Sequence, residues 1–180
     1  MNTRRTRPNS RRGFTLLEVV VVVLVMGIMA ATVVPSLSAM GSSRASAALA
    51  EVQRALMVAR ERALATGEPS GVAFDLTNQT MQLVRISVPG ASPSAAPSPL
   101  GVDSEAISIS SRYSGVRISG LAFPSGATSL WFSYDGVPQT RSSSGTLIGD
   151  LSADVSVALQ SGGVDSGTVY VRCISGLVER

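Results

Sequence analysis

The chain contains no histidine, no lysine and one cysteine, Cys173. That inventory excludes metal clusters and Cys/His catalysis, and a lone thiol closes no intramolecular disulfide. Cys173 is read instead as a small apolar residue buried in a strand. Also missing are a G-x-S-x-G elbow, a glycine-rich phosphate loop and a close pair of acids in an apolar setting. No catalytic residue, cofactor or metal is therefore expected, and the chain is read as a non-enzyme.

Charge is present but unevenly spread. All fifteen basic residues are arginines, and Arg4, Arg5, Arg7, Arg11 and Arg12 precede the first long apolar run. Without residues 1–13, ten arginines face the same twelve acids, and the side-chain balance moves from +3 to −2. Broad attraction to phosphate backbones needs clustered cations, so nucleic acid is not an expected partner. With 180 residues the chain has room for one soluble domain and an accessory segment.

Residues 14–37, FTLLEVVVVVLVMGIMAATVVPSL, carry a single charge, Glu18. At 1.5 Å per residue a helix of that length extends about 36 Å, enough to cross a bilayer. The arginines before it would stay cytoplasmic and everything after about Met40 would lie on the far side. Three readings compete. A secretory signal, with Ala45-Ser46-Ala47 as its cleavage site, expects a shorter apolar core. A twin-arginine signal explains Ser10-Arg11-Arg12-Gly13-Phe14, yet it expects a weaker core and leaves Glu18 without a reason. An ionisable group inside a membrane helix is costly, so Glu18 either snorkels to the headgroups or has a use.

The third reading accounts for every unusual residue. Arg11-Arg12-Gly13-Phe14-Thr15-Leu16-Leu17-Glu18 resembles the type III signal of type IV prepilins and pseudopilins. The resemblance implies cleavage between Gly13 and Phe14 by a membrane-embedded prepilin peptidase, followed by N-methylation of Phe14. It implies that the Glu18 carboxylate meets the Phe14 amine of a neighbouring subunit in the filament, setting the axial register. It also implies a loosened helix between Gly27 and Pro35, and proline independently predicts a kink by removing a backbone hydrogen bond. The implied partners are the peptidase, other pilins or pseudopilins, an inner-membrane assembly platform and the inner membrane itself. The implied location is a single pass of the bacterial inner membrane, N-terminus cytoplasmic and C-terminal domain periplasmic, before entry into a periplasmic or surface filament.

Past residue 40 the pattern becomes amphipathic, with Leu49, Val52, Leu56, Ala59 and Ala63 at steps of three and four. Glu51, Arg54, Met57 and Glu61 are read as its solvated faces. Gly67 offers a left-handed cap and Pro69 a stop, so one helix is predicted from Phe14 to about Thr66. After Pro69 the period drops to two. Val72, Phe74 and Leu76, a turn at Asn78-Gln79 and a run at 81–88 predict a β-hairpin. The Pro/Ser/Ala-rich stretch 89–101 predicts a mobile loop. Further strands are expected at 106–110, 116–119, 130–134, 155–160 and 168–174. The expected class is α+β and pilin-like, a long N-terminal membrane-spanning helix packed on a mainly antiparallel β-sheet domain. Its parts are a leader (1–13), an assembly half of the helix (14–40), an amphipathic half (41–67) and a periplasmic β domain (68–180).

The segments Trp131-Phe132-Ser133-Tyr134-Asp135-Gly136, Val155-Ser156-Val157-Ala158-Leu159 and Thr168-Val169-Tyr170-Val171-Arg172 before Ser175-Gly176 resemble the GspH/FimT family. That resemblance implies a minor pseudopilin of type II secretion or a minor pilin of type IV pili, with two sheets on the helix. Some FimT-like pilins bind DNA for uptake through a C-terminal Gly-Arg-x-Arg patch. The matching stretch here is Gly176-Leu177-Val178-Glu179-Arg180, leaving Arg180 and Arg172 as candidate phosphate contacts. DNA binding is accordingly the runner-up reading and twin-arginine export the third.

Overall fold

A helix that is apolar all round needs apolar surroundings along its whole surface, whereas a helix with one apolar stripe needs only a sheet to lie on. The chain changes from the first kind to the second near residue 40, and it divides there into two units, Met1–Ala39 and Met40–Arg180. The structure, a computed structural model, describes residues 14–88, 91–97 and 104–180, without the side chains of 31–39. The expected leader at 1–13, and with it Gly13, lies outside the described residues, as does the side chain of Pro35 on which the predicted kink depends.

Helix α1 covers Leu16–Thr66. In the first unit its residues are exposed throughout 16–30, including Leu16 at 83% and Leu24 at 61%. Gly27 has nothing within 4 Å of a notional Cβ. Among the described residues no helix is long and apolar enough to cross a membrane, and positions 31–39 of the expected span fall outside the side chains described.

In the second unit the predicted stripe is the buried one: Leu49, Val52, Leu56, Ala59 and Ala63 are at most 1% exposed, and Ala45 and Ala48 extend it by a turn. Each fully buried Leu or Val stabilises by about 1.5–3 kcal/mol. The helix ends as expected, with Gly67 at φ 70° donating its N–H to the Ala63 carbonyl at 3.0 Å. Glu51 corrects the solvated-face reading. Its carboxylate accepts from Arg54 at 2.7 Å and from Arg112 at 3.4 Å, tying α1 to the short helix α2, Ile109–Arg112. These arginines, the hydrogen bond from Arg54 foremost, hold the Glu51 carboxyl below its usual range despite partial burial.

Two antiparallel sheets cover the stripe. The strands are β1 (Ser70–Asp75), β2 (Thr80–Arg85), β3 (Ser94–Ala95), β4 (Ile107–Ser108), β5 (Val116–Ala122), β6 (Ser129–Phe132), β7 (Pro138–Arg141), β8 (Leu147–Asp150), β9 (Val155–Ser161), β10 (Val164–Val171) and β11 (Val178–Glu179). The larger sheet runs β3-β2-β1-β6-β7-β8 with β4 also on β2, and the smaller runs β11-β10-β9-β5. Val72, Phe74, Leu130 and Phe132 from the first sheet meet Val155, Val157, Leu159, Val169 and Val171 from the second in one core with the helix stripe. On the other face of the larger sheet Trp131 packs with Val84 and Ile86.

Several local expectations change. Leu76 belongs to the hairpin turn, not to a strand, and is 41% exposed; the turn is held by Asp75, whose Oδ1 accepts from Thr77 and Asn78. Gln79, expected only as a turn residue, is bonded to Ile118: its Oε1 accepts the Ile118 N–H at 2.7 Å where β5 bulges. The stretch 89–101 is not loop throughout. Ser94–Ala95 pairs with β2, Ala96 is fully buried, and Arg62 donates to the Pro97 carbonyl at 2.6 Å. The strand expected at 106–110 stops after two residues because the Ser108 hydroxyl accepts the Ser111 N–H and caps α2. Cys173 lies just past β10, half-buried in a turn, and donates its N–H to Asp154.

Candidate functional site

The first candidate is the start of α1. Phe14 and Thr15 precede the helix, and the Glu18 N–H donates to both the Thr15 carbonyl (3.1 Å) and the Thr15 Oγ1 (3.3 Å). Thr15 is thus the N-cap, and Thr15-Leu16-Leu17-Glu18 has the T-x-x-E spacing of a capping box. Sequence reasoning missed Thr15, although that spacing was the available signal. Glu18 sits in the first turn, where the N-terminal end of the helix dipole favours an anion. No ion pair to its carboxylate forms among the described residues, and Phe14 is 78% exposed. Gly27 lies further along the same exposed helix, separate from this turn.

The second candidate is the C-terminal pair. Arg172 donates to Asp154 at 2.7 Å and to Glu179 at 2.9 Å, so one cation is enclosed by two carboxylates. The backbone N–H of Cys173, followed by the Arg172 side chain, lowers the Asp154 pKa, while bonds to Asp154 and Glu179 raise that of Arg172. Arg180 donates to the Ser46 hydroxyl at 2.9 Å. With Asp154 and Glu179 counted against Arg172 and Arg180, this corner carries no excess of positive charge. A phosphate there would have to displace carboxylates, and two contacts give only weak, salt-sensitive affinity. Asp154, eighteen residues from Arg172, carried no sequence signal.

The same end of the domain holds the turns singled out in the sequence. Arg60 of α1 donates from Nη2 to the Ser175 carbonyl at 2.9 Å and from Nε to the Gly136 carbonyl at 3.3 Å. Gly136 at φ 80° and Gly176 at φ 63° pass so close that a Cβ on Gly176 would meet the Gly136 oxygen at 2.5 Å. One helix residue thereby fastens the 133–136 turn to the 172–176 turn. Arg60→Ala is expected to lower stability by about 1–2 kcal/mol, read as a shifted urea midpoint with unchanged slope. An unchanged midpoint would show that the two turns hold each other without it.

Residues 8–34 match the family model described as the prokaryotic N-terminal methylation motif. No curated protein matches the chain. Among solved structures the chain is similar to the minor pseudopilin EpsH from the type II secretion system of Vibrio cholerae. The TM-score is 0.53 at 11% identity, covering 76% of this chain and 94% of that one. It is also similar to the type IV minor pilin FimU of Pseudomonas aeruginosa, with a TM-score of 0.50 at 15% identity, covering 74% of this chain and 85% of that one. At such identities the likeness establishes the fold, which is α+β and pilin-like.

Proposed function

We propose that the chain is a membrane-stored structural subunit, a minor pseudopilin or minor pilin, cut after Gly13, methylated on Phe14 and assembled into a filament for secretion or pilus formation. The observation that carries this reading is the placement of a methylation motif directly ahead of a helix whose apolar residues are uncovered from Leu16 to Ala30. So much exposed apolar surface needs lipid before assembly and other subunits after it. In this proposal residues 1–13 are the leader, 14–40 the membrane and assembly half of the helix, 41–67 its docked half and 68–180 the periplasmic domain. Glu18 pairs with a neighbour's Phe14 amine, and the Gly27 to Pro35 stretch loosens on assembly. The partners are the prepilin peptidase, the inner-membrane assembly platform and other pilins or pseudopilins. The carboxylates around Arg172 argue against DNA as a partner.

Intact-mass analysis of the chain purified from bacterial membranes tests the first step. The expected mass begins at Phe14 and carries one added methyl group. A chain starting near Ala48 would instead identify a conventional signal peptide.

A further inference from the structure

Among the described residues, a cavity of about 260 Å³ opens in the larger sheet, away from both candidate sites. Its origin is visible in the strand register. Strands β6 and β7 pair at Trp131↔Gln139 and Phe132↔Pro138 and then part, leaving Ser129 and Arg141, the next outward-facing positions in that register, on opposite walls. The 3-10 turn Pro124–Gly126 forms another wall, with Ser125 held at φ 56°, a conformation that costs a non-glycine residue energy.

The cation in this cavity is poorly compensated. Arg54, Arg85, Arg112 and Arg172 each pair with a carboxylate. Half-buried Arg141 instead donates to neutral oxygens, the Gly145 carbonyl at 3.0 Å and Gln139 Oε1 at 3.1 Å; its buried Nε, like those of Arg62 and Arg85, has no acceptor. Asp150 is reached only through Gln139, whose Nε2 it accepts at 3.2 Å. Burial lowers the Arg141 pKa, as loss of water around an uncompensated charge should. Two further features bear on what could reach this cation. Ile148 lines the cavity and is also 62% exposed on β8, next to Leu147 at 50%. Among the described residues β8 pairs with β7 alone, so its outer edge is open to main-chain pairing.

We propose that this cavity is a docking site for an acidic side chain on an extended segment of a protein partner, the carboxylate meeting Arg141 while an adjacent apolar residue packs on Ile148. A guanidinium in partial burial suits a carboxylate, since the charge-assisted bonds replace lost hydration. A phosphate dianion would need more cations than the one present.

The test follows the arginine Nε–H NMR signals of the full-length chain in detergent micelles, with the Arg141 signal assigned by its loss in Arg141→Lys. The probe is an acetylated Ser-Leu-Glu-Leu-Ser amide; its glutamine counterpart, sodium acetate and inorganic phosphate serve as the other arms. The expected result is a saturable shift of the Arg141 signal with a midpoint at about 1 mM peptide, weakened about tenfold or more for the glutamine peptide. Ser143→Asp, which puts a carboxylate on the cavity rim, is expected to abolish the response without touching the β7 hydrogen bonds, and it serves even if Arg141→Lys fails to fold. Equal binding of the two peptides overturns the proposal. So does a Ser143→Asp protein that binds as the wild type does, a flat titration, or a response to acetate or phosphate as strong as to the peptide.

Discussion

Glu18→Leu is expected to insert into the membrane and lose its leader like the wild type, yet to fail in assembly. Removing the carboxylate makes the segment more apolar, which favours insertion. The cleavage-proximal residues are unchanged. The Thr15 cap persists too, because its bonds use the backbone N–H of Glu18 and not its side chain. In the proposed assembly, what disappears is the partner for a neighbour's Phe14 amine, which would enter an apolar filament core as an unpaired charge. Leaving one member of a buried pair alone costs about 3 to 5 kcal/mol, a hundredfold or more in an association constant. Crosslinking of the processed variant to its filament partners in membranes reads the effect. Wild-type yields would mean that Glu18 merely snorkels. Thr15→Val separates the two roles, since loss of an N-cap costs only about 1 kcal/mol and leaves the carboxylate in place.

The parts of this chain that were legible beforehand are those in which a side-chain pattern and a burial pattern coincide. The stripe from Leu49 to Ala63 has helical spacing because one face meets two sheets, and Gly67 with Pro69 ends it by local backbone chemistry. Strands β1, β2, β5, β9 and β10 were legible for the same reason, with apolar residues alternating on the core face. Strand β7, Pro138–Arg141, was not, because its buried residues include Gln139 and Thr140, polar side chains enclosed by neighbours distant in sequence. Strand β8 exposes both Leu147 and Ile148, so no alternation marks it. Main-chain pairing alone makes β3 out of Ser94–Ala95, and composition says nothing about that. The site divides similarly. Glu18 stood out as one charge in an apolar run, and Phe14 by its place after Gly13. The enclosure of Arg172 by Asp154 and Glu179, like the half-buried Arg141, exists only once separate strands come together.

Gly71→Ala is expected to be the most damaging small substitution in the folded domain. Gly71 lies in β1 opposite Trp131 of β6 and is buried, with no unusual φ to explain the glycine. Space explains it. A Cβ there would stand 2.3 Å from the Leu130 carbonyl oxygen, 3.0 Å from Trp131 Cδ2 and 3.1 Å from Trp131 Cα. Two of those atoms are backbone, so no rotamer change relieves the contact and the β1–β6 ladder itself must open. Trp131 moves with it, although its ring is 1% exposed and its Nε1 donates to Ser129 at 3.0 Å. The cost is expected at about 3 kcal/mol, toward the upper end for overpacking. Because the chain has a single tryptophan, its fluorescence reports on this part of the sheet. A red-shifted emission and an earlier urea midpoint are expected together. Gly120→Ala is the comparison, since nothing lies within 4 Å of a Cβ at that position in β5. Its effect should stay within about 0.5 kcal/mol. Equal effects at the two positions would refute the steric account. The expected difference has a functional side as well. Strand β6 leads directly into the 133–136 turn that Arg60 fastens to the C-terminal segment, so a ladder opened at Gly71 should loosen that end of the domain along with the sheet.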